Sequence, residues 1–346
     1  MAEKNWKDLF LRSGLPLEYE VKETFVSMGC SAWDEYSYLK ANENNIDQEF
    51  SYDLDTIYWK GRHCFNFMVE CKYKTEPTKW LFLPDPYAYQ ADISRNAFLH
   101  TIDHFTEKKF IFDHEPYDKV QPPLGPYCLK GTEILSDNAK EQTIRHAIHQ
   151  LSYAFVDKTI ESLEEQLRVD MFKDSLFFNI PVIITNADLY LCNTDMGVEA
   201  VKAATRPEDI ASRHDCLLFH NKIGEQLRQH NLASLAQFMS KNEEKFHERI
   251  HSFTDDPSHF INVLSRNYCP EIILIMHHDQ ARTSYKRLFD YINFLITASP
   301  ELDQKIKEIT EKQKATFEKL KHLRPKKTSP EPGHQAPPTT PHNPEA

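Results

Sequence analysis

Two neighbouring stretches constrain this chain more than any other feature: SYDLDTIYW from Ser51 to Trp59 and FNFMVECKY from Phe65 to Tyr73. Both read as strands, and side chains along a strand alternate between its faces. Phe65, Phe67, Val69, Cys71 and Tyr73 then share one apolar face, which leaves Glu70 and Lys72 together on the other. The same rule sets Asp53 and Asp55 side by side, with Tyr52, Leu54 and Tyr58 turned away. Lys60-Gly61-Arg62 between the stretches supplies a hairpin turn that brings them into register.

If the two polar faces coincide, carboxylates and one ammonium converge on a few ångströms of sheet. Hard oxygen donors of that kind suit Mg²⁺, with Mn²⁺ as a substitute, and such an ion draws its remaining ligands from water and phosphate. A lysine beside it can position an attacking water and stabilise charge developing on phosphorus. Metal-assisted phosphodiester hydrolysis is the chemistry this implies.

At these residues the chain resembles the PD-(D/E)xK superfamily, the restriction-endonuclease-like nucleases. The matching residues are an Asp near the end of one strand, Asp55 with Asp53 in reserve, and the triplet Glu70-Cys71-Lys72 on the next. Upstream, GLPLEYEVKETFVSMGC looks like the family's first helix, on which Glu18, or else Glu20, takes the supporting acid's place. Downstream, Gln150 lies on the helix where members often carry a glutamine. No proline precedes the Asp, and the Q-x-x-x-Y pattern of some branches stands one residue short as Gln150-Leu-Ser-Tyr153.

The resemblance implies an α/β fold with an αβββαβ core and a mixed sheet. It implies Asp55, Glu70 and Glu18 as metal ligands, Lys72 positioning the nucleophilic water, and Gln150 behind them. The partner it implies is nucleic acid, DNA before RNA, with the oligomeric state left open and a homodimer among the options. One alternative is a nuclease fold that binds nucleic acid or a partner without cutting. The bland alternative is a solvated sheet face carrying ordinary charges.

At 346 residues and 40 % apolar content the chain is long enough for one large or two ordinary domains with ample core. No apolar run approaches a membrane span, and MAEKNWKDLF lacks the hydrophobic region of a signal peptide, so cytoplasm is the expected compartment. The seven cysteines form no C-x-x-C pair and read as buried reduced thiols. A net charge of −11 argues against a protein that coats nucleic acid non-specifically. The absence of G-x-x-x-x-G-K and G-x-G-x-x-G disfavours a nucleotide-driven motor or a dinucleotide enzyme.

In chain order, Trp6, Leu9, Phe10 and Leu11 form a short docked helical turn. Ser13, Gly14 and Pro16 open a helix whose apolar stripe is 17, 21, 25 and 28, with Gly29 as its stop. Trp33 to Leu39 reads as a strand and Asn42 to Asn45 as a turn. An irregular, proline-rich insert runs from about 74 to 136, where Trp80, Phe82, Tyr87 and Tyr89 either pin it to the core or stack on splayed bases. From Asn138 to Val169 the period is helical, and His146, Gln150, Tyr153 and Asp157 make a polar stripe that faces either the metal site or solvent. IPVIIT is a buried strand, 188–192 its continuation or an edge, 200–265 largely helical, and EIILIMHH a further strand of the same sheet, followed by a helix. One domain thus spans 1–300, with helical C-terminal additions, then a charged helix at 301–323 and a disordered Pro-rich tail at 324–346.

HERIH at 247–251 matches the H-E-x-x-H of zinc hydrolases, in which His247 and His251 would hold the metal and Glu248 act as base. Arg249 between the ligands and the polar KNEEKF just before them are unlike a buried zinc helix. Ser-hydrolase chemistry finds no G-x-S-x-G elbow.

Overall fold

The computed structural model describes residues 6–41, 47–86, 96–106, 115–135, 139–140, 142–245 and 257–321. The chain enters through α1 (Trp6–Arg12) and α2 (Leu15–Ser27). Gly14 at φ 87 joins the two, Pro16 sits in the first turn of α2, and Gly29 at φ 91 lets the chain leave it. Leu17, Val21 and Phe25 are buried, the expected stripe.

β1 (Ser31–Ala41), β2 (Asp47–Lys60) and β3 (His63–Lys72) follow as an antiparallel meander. Lys60 pairs with His63 across Gly61 and Arg62, with Gly61 at φ 60, a left-handed value that costs glycine nothing. After an excursion the chain forms α4 (Gln142–Arg168) and then β8 (Leu176–Thr185), which pairs in parallel with β3 from His63↔Leu176 to Lys72↔Thr185. Parallel neighbours need a crossover connection, which the excursion and α4 supply. Apart from the elements inserted between β3 and α4, the order from α2 to β8 is α-β-β-β-α-β, and the sheet is mixed. β8 is buried along its whole length, as a central strand covered on both faces must be.

The excursion itself corrects one expectation. In place of an irregular insert it holds β4 (Lys79–Pro84), β5 (Thr101–Ile102), α3 (Glu115–Lys119), β6 (Tyr127–Ile134) and β7 (Ala139–Lys140), all the strands joining the main sheet. Prolines flank these short strands and masked them in the sequence. Trp80 and Phe82 are fully buried, and the Trp80 indole N–H donates to Glu133 at 3.1 Å, so these two aromatics pin the segment to the core.

Beyond β8 come β9 (Asp188–Cys192), α5 (Val198–Ala203), β10 (Ala211–His214), β11 (Cys216–His220) and α6 (Glu225–Lys241). The described chain ends with α7 (Pro257–Asn267), β12 (Ile272–His277), α8 (Thr283–Ile296) and α9 (Pro300–Lys321). β10 and β11 correct the largely helical expectation for 200–265. The main hydrogen-bonded path is β1-β2-β3-β8-β12-β11-β6-β4-β9-β10. Asn186 and Ala187 alone join β8 to β9, yet four strands lie between them on that path, so this half of the sheet must curl on itself. Ile144, Ala147, Leu151 and Phe155 of α4 pack into one apolar cluster with Trp80, Phe82, Leu217 and Ile275 of the curled strands. A second cluster joins α2, α8 and α9 to the opposite face, including Phe65, Phe67, Val69 and Cys71 of β3.

All seven cysteines are free and buried. Among the described residues, no helix is long and apolar enough to cross a membrane. The Asn42–Asn45 turn, Tyr87, Tyr89, the HERIH motif at 247–251 and the 324–346 tail lie outside the described residues.

The curl has a tight point. A Cβ on Gly125 would stand 2.1 Å from the Cys216 carbonyl oxygen, beside the Leu218 N–H to Pro126 carbonyl bond that starts the β6–β11 pairing. Gly125→Ala should cost about 1–3 kcal/mol of stability, the range for overpacking, read as a lowered denaturation midpoint at unchanged m-value.

Candidate active site at the end of the third strand

The β2–β3 ladder runs from Lys60↔His63 to Leu54↔Val69 and stops there. One residue further, the Asp53 carboxylate takes over from the backbone: its Oδ2 accepts the Cys71 N–H at 2.6 Å. The β1–β2 ladder is disturbed at the same level. It passes from Asp34↔Leu54 to Tyr36↔Tyr52 with Glu35 between them at φ 49, a strained value for a residue with a side chain. Alternation breaks here. Tyr52 and Leu54, two residues apart, belong to opposite apolar clusters.

That break corrects the expected pairing of Asp53 with Asp55. Asp55 is buried, its Oδ1 accepts the Tyr52 hydroxyl at 2.9 Å and its Oδ2 accepts Lys158 Nζ from α4 at 2.7 Å. Lys158, 2 % exposed, also donates to Glu161 at 2.7 Å and stands 4.9 Å from the Tyr36 ring centre. Both Asp55 oxygens are thus committed to a buried ion-pair network, and Asp53 is the acid beside the E-x-K triplet. Lys158 escaped the sequence reading, although its place seven residues after Leu151 and three after Phe155 puts a cation in phase with the buried stripe of α4.

Glu70 and Lys72 meet as expected. Glu70 is fully buried, its Oε1 accepts Lys72 Nζ, and its Oε2 is buried without a hydrogen-bond partner. Burial and then the negative charge of Asp53 push the Glu70 carboxyl up to about 7, against the pull of Lys72. Burial works against the charge on Lys72, but Glu70 and Asp53 outweigh it and hold the ammonium above its ordinary value. Asp53 is also raised, by burial first, with Lys72 and the Cys71 N–H opposing. On α2, burial and Asp53 raise Glu18. Glu18, Asp53, Ser51, Asp34 and Glu35 line one open cavity of about 950 Å³. Glu18 and Glu70 therefore each sense the charges of Asp53 and Lys72.

Two candidates serve elsewhere. Gln150 Nε2 donates to the Ser51 carbonyl at 2.9 Å, and the Gln150 carbonyl accepts the Tyr38 hydroxyl at 3.0 Å, so this residue braces the bend in β2. Glu20, second choice to Glu18, accepts from or faces His278 Nε2 at 3.2 Å on the segment after β12. The α4 polar stripe faces neither solvent alone nor the acids. Tyr153 lies under Lys40, whose Nζ is 3.4 Å from the ring centre, and it contacts the His230 ring; Asp157 is mostly buried, one oxygen unpartnered.

Among the described residues, no three His, Cys, Asp or Glu side chains form a ready ligand cluster. The donors nonetheless fit a hard divalent cation: Asp53 and Glu70 offer carboxylate oxygens, and the orphaned Glu70 Oε2 is the kind of buried acceptor a cation satisfies. No family model, no curated protein and no solved structure matches this chain.

Two outcomes separate the neighbouring acids. Asp55→Asn removes one of the two carboxylates that hold the buried Lys158 charge, leaving Glu161, and should cost about 1.5–3 kcal/mol, the range for a hydrogen bond to a charged group, whereas Asp53→Asn keeps an acceptor for Cys71 and should cost less than about 1 kcal/mol, both by chemical denaturation. Burial raises the Asp157 carboxyl to about 7. An acid raised on folding contributes stability below its unfolded value, and that contribution fades as pH climbs through about 7. Asp157→Asn should therefore flatten the fall in melting temperature between about pH 5 and 8, with the gain over the parent chain largest at the alkaline end.

Proposed function

We propose that this chain is a Mg²⁺-dependent nuclease with a restriction-endonuclease-like core, hydrolysing phosphodiester bonds in DNA. The observation that carries this is the Asp53 carboxylate seated on the N–H of Cys71, the residue between Glu70 and Lys72. That contact sets an acid from one strand beside an E-x-K triplet from the next, with Glu18 across the cavity on the preceding helix. With the elements inserted between β3 and α4 set aside, the α-β-β-β-α-β order from α2 to β8 is consistent with the order the resemblance implies.

Asp53 and Glu70 would hold the metal, with Glu18 in support. When bound, a divalent ion supplies neutralisation of phosphate charge and activation of an attacking water. Lys72, kept protonated by its acidic neighbours, is unsuited to act as a base. Its role is that of a donor: Nζ has hydrogens beyond the one given to Glu70 and can direct them at a phosphate oxygen as negative charge builds there. Asp55 enters only through Lys158, as a strut holding β2 to α4.

A non-cutting version of the fold is favoured by one observation, the direct closure of Lys72 on Glu70, which occupies an oxygen the metal would use. Incubating purified protein with plasmid, linear and single-stranded DNA in Mg²⁺, Mn²⁺ or EDTA separates the two. Metal-dependent product is expected, reduced about 10²–10³-fold by Lys72→Ala, the cost of removing one transition-state donor, and lost in Glu70→Ala. Full cleavage by Lys72→Ala overturns the roles given, and binding that survives Glu70→Ala with no product in any metal favours the non-cutting protein.

A further inference from the structure

A second cavity, of about 410 Å³, opens between α4, β6 and β11. Its volume lies in the range of small-ligand pockets. Leu83, Leu129, Ile148 and Phe219 give it an apolar floor. Lys130, Arg145 and Lys222 stand at its rim with His149 and His220, and no carboxylate is among its lining residues. His220 is engaged by Asp85 at 2.9 Å. Among the described residues, Lys130, Arg145 and Lys222 have no ion-pair or hydrogen-bond partner, although acids outnumber bases along the chain by 52 to 41. The three cations are exposed around one apolar hollow, where their charges are open to an anion seated on its floor.

The local charge is felt at the cavity wall. His149 is held below its ordinary value by burial and by Lys40, Arg145 and His146. The ligand chemistry follows from the two surfaces. A flat or apolar body covers the floor, and one or more anionic oxygens reach the rim, where the planar guanidinium of Arg145 suits phosphate.

We propose that this cavity binds a nucleotide, its base on the Leu83–Phe219 floor and its phosphate between Lys130, Arg145 and Lys222. The nucleotide is either free or part of the strand the chain cuts, and the second source rests on the nuclease reading. A strand is geometrically reasonable because α4 carries both Arg145 and Gln150, about 7.5 Å apart along its axis, and Gln150 holds the Ser51 carbonyl two residues from Asp53. The start of α4 is tied to the far side of the site as well, Lys74 Nζ donating to Thr143 Oγ1 at 3.3 Å two residues beyond Lys72.

The test titrates adenosine 5′-monophosphate, inorganic phosphate and a short fluorescein-labelled single strand into the full chain carrying Lys72→Ala, in EDTA. The monophosphate should bind at least about tenfold tighter than phosphate, and Arg145→Glu or Lys130→Glu should each weaken it about tenfold or more. Leu83→Asp, at an exposed floor position, should weaken the monophosphate and not phosphate, while Arg145→Lys retains most of the affinity. A strand bound about tenfold tighter than the monophosphate identifies the substrate strand as the source; equal affinities identify a free nucleotide. No binding, phosphate bound as tightly as the monophosphate, or affinity unchanged in Arg145→Glu and Lys130→Glu chains with parental melting temperatures overturns the proposal. Cleavage is scored separately with Lys72 intact. Cutting without nucleotide binding removes this site alone, and nucleotide binding by a chain that cuts nothing removes the hydrolytic reading alone.

Discussion

The hydrogen bond from the Cys71 N–H to the Asp53 carboxylate is the interaction on which the rest of the candidate site depends. A backbone donor at a strand end must find an acceptor, and here a side chain is that acceptor. The exchange accompanies the end of the β2–β3 ladder at Leu54↔Val69, releases Glu70 and Lys72 on their β2 side while β8 still pairs with them on the other, and coincides with the break in the alternation of β2. The strained Glu35 on β1 lies at the same level, so the disturbance passes through neighbouring strands. Strain of this kind persists only where the surroundings enforce it. Gln150 holding Ser51, Tyr38 holding Gln150, and Lys158 holding Asp55 are the enforcing contacts.

The two neighbouring aspartates thus differ in how far their surroundings satisfy them. Asp55 has one oxygen held by the Tyr52 phenol and the other by the buried Lys158 ammonium, which also reaches the half-exposed Glu161. Asp53 and Glu70 share one lysine between two carboxylates, in a place where burial already disfavours charge. The second arrangement is the costly one, and a divalent cation or a polar substrate group would relieve it. Around it, the curled half of the sheet gives α4 a closed seat, so that one long helix can brace the bend in β2 and at the same time wall a cationic cavity.

Much of this was legible in the sequence because it was local. The hairpin at Gly61, the odd-numbered apolar face of β3, the Glu70–Lys72 contact and the stripe of α2 follow from strand and helix periods over a few residues. Asp53 over Asp55 was not legible, because strict alternation put both on one face and only a ladder interruption, a tertiary event, parts them. Strands β4, β6, β10 and β11 were hidden for a different reason: they are short, their pairing partners are remote in sequence, and prolines or charged neighbours mask them. Trp80 and Phe82 followed the bland expectation for aromatics and went into the core.

Metal binding tests the central claim most directly, since it asks whether the strained acids, and not Asp55, are where a cation goes. Titration calorimetry with Mn²⁺ should show saturable binding to the parent chain that is lost in Asp53→Asn and in Glu70→Gln, each checked to be folded. A parent chain that binds no Mn²⁺, or an Asp53→Asn chain that binds it as the parent does, would contradict the account.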